Sequence, residues 1–217
     1  ALDFEKISEF ALQYGPDNDV LIFSPFWDLN SFFLNSFEQG EFFHPGLMAC
    51  SQQFMQAVGQ DLRLSELVMH GENTAFCNYF IAKKKFWLHW LELGEKLFQS
   101  AEAKGTVLAN ALNQSTIYSH DLLPQKIFVQ ERLVNMLLAG PQFKSKSWSM
   151  FGLPCSVTPL SQYQSQAAVA NALKMAYAKT GDNLYLNEFH QLRDKVWKDS
   201  GIGELAKARD RVLRGEA

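Results

Sequence analysis

The segment Thr74 to Ser100, TAFCNYFIAKKKFWLHWLELGEKLFQS, constrains the fold more than any other stretch of the chain. Ala75 to Ala82 is apolar at nearly every position and has the length of a strand covered on both faces. Lys83, Lys84 and Lys85 interrupt it. Beyond them Phe86, Trp87, Trp90, Leu91, Leu97 and Phe98 recur at helical spacing, with Glu92, Glu95 and Lys96 on the opposite side. A buried strand, a short polar break and an amphipathic helix form the half-unit of an α/β sheet protein.

With 217 residues the chain can bury roughly 70% of its unfolded surface, so it needs no disulfide or metal staples. Its net charge of −3 and pI near 6.0 argue against a nucleic-acid partner, which selects for a basic surplus. Cys50, Cys77 and Cys155 are odd in number, far apart and without CxxC spacing, so they read as free thiols in a reducing, cytoplasmic setting. The start ALDFEKISEF has no apolar core of a signal peptide, and no run approaches the ~20 apolar residues of a membrane span. Association with a membrane through partners stays open. The 18 Phe exceed what one core face absorbs in pairs such as Phe26-Trp27, Phe32-Phe33 and Phe42-Phe43, so some are expected to line a pocket or a partner surface.

The pattern predicts a helix over 3–14 stopped by Gly15-Pro16, a strand over Asp19 to Phe23 ended by Ser24-Pro25, and a helix after Pro45 closed by Gly59. Residues 26–44 lack a clean period and read as a site-bearing loop. Leu62 to Met69 reads as a short strand, and residues 105–120 are weakly patterned, with one helical turn over Ala109 to Leu112. Pro124 opens a helix that Gly140-Pro141 ends. From Gln162 onward the chain is helical and more charged, with an antiparallel hairpin of 166–179 and 183–198 around Thr180-Gly181-Asp182 and a further helix over Gly203 to Leu213. The expected architecture is a helix-rich α/β fold. A small mixed or parallel central sheet is flanked by helices and followed by a C-terminal helical hairpin. Its divisions are a core over 1–141, an irregular connection over 142–161 and a helical subdomain over 162–217.

The densest polar group is Glu38-Gln39-Gly40-Glu41-Phe42-Phe43-His44-Pro45. On a helix, Glu38, Glu41 and His44 fall three apart and share a face, giving one of the two Glu-x-x-His copies that a di-iron bundle requires; no second copy exists. On a loop, the same residues give two carboxylates and an imidazole able to activate a hydroxyl, against the plainer reading of solvated acids and a helix cap. Asp17-Asn18-Asp19 has DxD form but precedes its strand rather than leaving it, so Asx-turn chemistry explains it better, and a divalent cation has no well-placed DxD. Asp28, past the strand end, has no second carboxylate beside it. Lys83 to Lys85 suit either phosphate or a solvated break. Lys126, Glu131 and Arg132 share one helix, where an internal ion pair is the conservative account. Ser119-His120-Asp121 are adjacent in sequence, whereas catalytic triads are assembled across space.

In order, DVLIFSPF, NSFEQGEFFHPGL, NTAFCNYFIAKKKFW and QKIFVQERLVNMLL resemble a group of bacterial glycosyltransferases and surface-polysaccharide biosynthesis proteins, over about residues 17–140. The strand-to-helix junction CNYFIAKKKFW looks like the acceptor-side half of a GT-A-type enzyme. The resemblance implies transfer of a sugar from a nucleotide-activated donor to a hydroxyl of a glycan acceptor. It assigns Glu38, Glu41 and His44 to the active-site loop, Asn78 to the sugar-facing strand, and Lys126 and Arg132 to the diphosphate; Asp28, past the strand end, is a further substrate-binding candidate. Without a placed DxD, basic side chains would stand in for a metal, or the chain would be part of a larger enzyme. The competing expectation is a non-catalytic module that binds a protein or glycan through exposed aromatics. An enzyme should gather Glu38, Glu41, His44 and Asn78 around one concavity, and a module should leave them scattered and show a flat aromatic patch.

Overall fold

A computed structural model describes residues 2–118 and 121–207. Helix α1 (Phe4–Tyr14) is capped by the Asp3 side chain, which accepts from Lys6 N. It leads into β1 (Val20–Ile22), the middle strand of a three-stranded sheet. Asn18 and Asp19 hold the approach: Asn18 Nδ2 donates to Tyr14 O at the end of α1, and Asp19 accepts from Lys144 N, a long-range tie rather than the expected local turn. Alternation along β1 sorts its side chains between two cores. Val20 and Ile22 pack with Phe86, Val134 and Phe143, while Leu21 and Phe23 pack with Phe10 and Trp148.

Residues 26–44, expected as a loop, form two short helices, α2 (Trp27–Ser31) and α3 (Ser36–Phe43). The cap explains α3: Asn35 Oδ1 accepts from Phe37 N and Glu38 N, while its Nδ2 donates to Leu64 O and Leu67 O. Those last bonds also hold residues 62–69 in turns rather than in the predicted strand. Helix α4 (Leu47–Ala57) follows Gly46, whose φ of +92° suits glycine.

The predicted strand over Ala75 to Ala82 is real only in β2 (Phe80–Ala82), which pairs antiparallel with β1 at the sheet edge, and Ile81 is exposed rather than covered. Its first half is displaced because Cys77 and Asn78 are left-handed. Helix α5 (Lys84–Glu102) starts within the lysine run, so the polar break is the helix entry itself. Next come α6 (Val107–Asn113), a hairpin of β3 (Ser115–Tyr118) and β4 (Asp121–Pro124), and α7 (Gln125–Glu131). Ser119 and His120 lie outside the described residues. The single helix expected after Pro124 breaks at Arg132 (ψ 2°) and resumes as α8 (Leu133–Leu138).

Residues 142–161 are more than a connection, because β5 (Ser145–Ser147) lies parallel to β1 and completes the mixed sheet in the order β2-β1-β5. Two 3-10 turns precede α9 (Gln164–Thr180) and α10 (Asn183–Ser200), an antiparallel hairpin hinged at Gly181. The hairpin shares one apolar cluster with α2, joining Ala167, Ala170 and Phe189 to Trp27, Phe32 and Phe33. A separate cluster of Leu47, Phe54, Leu93, Leu97, Phe128 and Leu133 binds α4, α5, α7 and α8. No helix among the described residues is long and apolar enough to cross a membrane.

Candidate functional site

A cavity of about 830 Å³ opens between α3, the β3–β4 hairpin, the α7–α8 junction and the segments around Cys77 and Ser156. That lies in the upper part of the ~300–1,000 Å³ range of small-molecule sites. Its walls are largely apolar, with Phe26, Phe42, Phe43, Phe76 and Ile117 contributing, and its polar groups fall into two hydrogen-bonded sets.

The larger set is built on the helix break at Arg132. Local sequence explains the break's contents: Glu131, Arg132 and Asn135 are polar interruptions in an apolar run, and the buried two are matched by partners on α3 and at Ala75. Arg132 Nε donates to Ser36 O at 2.8 Å, Nη1 to Phe128 O at 2.9 Å and Nη2 to Gln39 Oε1 at 3.1 Å. Asn135 Nδ2 donates to Ser36 Oγ and to Ala75 O, and its Oδ1 accepts from Ala75 N at 2.8 Å. Gly40 permits this approach, since a Cβ there would stand 2.6 Å from Arg132 Nη2.

The guanidinium is 6% exposed, and Glu131 at 3.5 Å supplies its carboxylate. Burial depresses the Arg132 pKa to about 10, against the opposing pull of Glu131. Burial likewise raises the Glu131 carboxyl above its ordinary value, with Arg132 acting in the opposite sense. A positive charge and a carboxyl that holds its proton unusually well thus face one apolar cavity. Perturbed acids and bases in a cleft mark candidate sites.

Backbone strain gathers at the same place. Phe26, Cys77 and Asn78 have φ of 59°, 59° and 56°, and Phe26 and Cys77 line the cavity. Such conformations cost roughly 1–3 kcal/mol each and persist only where surroundings impose them. Here Asn135 clasps both backbone groups of Ala75, and Ser24 Oγ accepts from Phe76 N at 2.6 Å, so the left-handed turn follows directly from a segment held by side chains.

The second polar set is Ser156 and Thr158, which line the cavity with hydroxyls 2.8 Å apart. Buried Asp28 orients them by accepting from Ser156 N at 2.8 Å and from Ser156 Oγ at 2.6 Å.

Of the residues predicted from sequence, His44 and Arg132 line the cavity. His44 ends α3, its Nδ1 lies 2.8 Å from Ile117 O, and its ring stacks on Phe128 at 3.8 Å. Asp28 contributes through Ser156. Asn78 is exposed beside Cys77 and does not line the cavity. Neither do the two carboxylates expected at its centre. Glu38 pairs with Arg193 at 3.1 Å and accepts from Leu34 N, tying α3 to α10. Glu41 accepts from Gly46 N and Met48 N, which caps α4. The reason is helical: α3 turns its Glu38 and Glu41 carboxylates to its own termini and neighbours, and Gln39 toward Arg132. Lys126 bonds Asn113 Oδ1 at 2.8 Å and lies 4.0 Å from Glu102, away from the cavity. Glu131, Asn135, Cys77, Ser156 and Thr158 were not foreseen as site residues. The available signal was the polar triplet Glu131, Arg132 and Asn135 inside an apolar helix. Among the described residues, no group of three His, Cys, Asp or Glu stands close enough to hold a metal ion.

No protein-family model, curated protein or solved structure matches the chain.

Proposed function

We propose that the chain is a sugar-transferring domain of bacterial surface-polysaccharide assembly, moving a sugar from a nucleotide-activated donor to an acceptor hydroxyl in this cavity. One observation carries the reading. His44 of EQGEFFHPG, Cys77 of CNYFIAKKKFW and Arg132 of QERLVN come from the segments that bear the family resemblance, and they converge on one concavity although far apart in sequence.

In this reading Glu131 replaces Glu38 and Glu41 as the base. Its carboxylate accepts the acceptor hydroxyl proton as the new bond forms between that oxygen and the anomeric carbon. The bond from the anomeric carbon to the phosphate oxygen breaks, and the nucleoside diphosphate departs with the electron pair. Arg132 faces the charge that develops there, so no metal is required for that role. Tyr118, Phe43 and Phe76 offer ring faces to the sugar, and the Ser156 and Thr158 hydroxyls offer hydrogen bonds.

Thermal unfolding with a panel of uridine, guanosine, thymidine and cytidine nucleotide sugars tests this. A ligand at 100 times its Kd adds about 2.7 kcal/mol and raises the midpoint visibly. Silence across the whole panel refutes donor binding. The second reading, a non-catalytic binding module, is favoured by two features: Glu38, Glu41 and Asn78 are scattered away from the cavity, and Trp87, Leu88, Leu91 and Phe98 are exposed on α5, with Tyr79 and Ile81 exposed beside it.

A further inference from the structure

The cavity suits something other than a bare sugar. Its walls are mainly hydrocarbon and aromatic, and its lip is apolar too: Val157 is fully exposed, while Tyr118 and Leu205 are 52% and 42% exposed. Exposed apolar groups at a pocket mouth extend the surface available to an apolar ligand beyond the cavity itself. Polar groups are sparse, and one is a buried cation. Arg132 donates to neutral oxygens of Ser36, Phe128 and Gln39. Its carboxylate neighbour, Glu131, is half-exposed and stands 3.5 Å away, beyond the length of a charge-assisted hydrogen bond. A buried charge that is incompletely matched favours an anionic partner delivered from outside.

We propose that the cavity binds an amphipathic anion, with a phosphate or carboxylate head at Arg132 and a hydrocarbon tail running over Phe43 and Phe76 to the lip at Val157. The inference goes beyond the sugar-transfer reading and rests on the cavity alone: the acidic head takes the place at Arg132 that the reading gives to the departing diphosphate, so an amphipathic anion and a nucleotide sugar compete for the cavity.

Alkyl phosphates from hexyl to decyl, below their micelle-forming concentrations, are the probes, with decanol, decanoate and inorganic phosphate as comparisons in titration calorimetry. Affinity should rise about fourfold per methylene, the equivalent of ~0.8 kcal/mol of apolar burial. Decanol should bind at least tenfold more weakly than decyl phosphate, and decanoate against decyl phosphate separates carboxylate from phosphate heads. Arg132→Lys should weaken the anions while leaving decanol unchanged. Because Arg132 also ties α3 to α7, a second variant avoids the core. Val157→Asp, at a fully exposed lip position, should lower the gain per methylene for the longer chains without changing unfolding temperature. Cys77 supplies an independent readout. In a Cys155→Ser background with Cys50 buried, saturating decyl phosphate should slow Cys77 modification by a disulfide reagent at least fivefold.

Affinity that is flat with chain length, decanol equal to decyl phosphate, or unprotected Cys77 would each overturn the inference. Failure of the two readings can be told apart. Nucleotide sugars that stabilise a protein indifferent to alkyl phosphates refute this inference alone. Alkyl phosphates that bind a protein deaf to every nucleotide sugar refute sugar transfer alone.

Discussion

Lys174 offers the sharpest quantitative check on the packing of the C-terminal hairpin. Its side chain is 1% exposed, and its amine donates to Asn30 O at 3.2 Å and Phe33 O at 2.6 Å. Burial lowers its pKa from 10.5 to about 7; Glu38 pulls it upward and Arg193 pushes it further down. His70, itself depressed by burial and then by Lys174, also faces it. Between these two values the unfolded chain holds a proton that the folded chain has lost. Stability therefore rises with pH across that window, by up to ~1.4 kcal/mol per pH unit, and the full cost of the buried amine is felt below its folded pKa. Integrated from pH 7 to pH 9, the gain is about 2 kcal/mol. The window closes near there, because burial pushes Cys50 and Cys77 from 9.0 up to about 11, and these thiols act in the opposite sense above 9. Lys174→Met keeps the stem and removes the titration. Unfolding free energies of both proteins from urea titrations, measured at unit steps of pH across this range, should diverge by about 2 kcal/mol in favour of the parent. Parallel curves would refute the argument that the amine is deprotonated inside the fold.

Other outcomes follow from the site. Asn135→Leu removes the clasp that satisfies both backbone groups of Ala75 and should cost about 2–4 kcal/mol in urea unfolding, since each orphaned buried group costs ~1–3 kcal/mol. Gly40→Ala puts a methyl 2.3 Å from Leu47 Cδ2 and 2.6 Å from Arg132 Nη2, so thermal unfolding should show about 1–3 kcal/mol of destabilisation. Glu131→Gln should remove sugar transfer in a protein that still unfolds cooperatively, at a lowered temperature because buried Arg132 loses its carboxylate neighbour at 3.5 Å. In the parent, turnover should climb with pH through a Glu131 pKa above the ordinary 4.5, and a pH-rate profile with an acid limb at or below 4.5 would exclude it as base. Arg193→Ala leaves Glu38 without its partner at 3.1 Å and strips the cation from above the Trp197 and Phe189 rings. Chemical unfolding should show a loss of about 1–2 kcal/mol if the link between α3 and α10 is structural.

The separation of Glu38 and Glu41 from Glu131 shows where sequence reasoning stops. Glu38 and Glu41, spaced three apart, do share a face of α3, yet that face supplies a cap and an interhelical ion pair, while His44 lies past the helix end and reaches the cavity. Whether a face meets a cavity depends on what packs against it, and periodicity carries no information about that. The Glu131, Arg132 and Asn135 interruption was visible as a pattern. Its meaning was not, because the partners lie more than 90 residues away at Ser36 and Gln39.

Local chemistry in the chain itself determined α1, α5, α9 and α10, where apolar spacing, the Asp3 and Asp182 caps and the Gly181 stop act over a few residues. It also determined the helix-rich α/β class with one central apolar strand. Tertiary structure decided the rest. Ser145–Ser147 became a strand because β1 had an unpaired edge, although SKS has no apolar residue to announce it. Ala75 lies outside the sheet, with both its backbone groups bonded to the Asn135 side chain, and Cys77 and Asn78 just after it are left-handed at the cavity's edge. Hydrogen bonds between distant segments make that choice, and nothing in the neighbouring residues of either segment specifies the other.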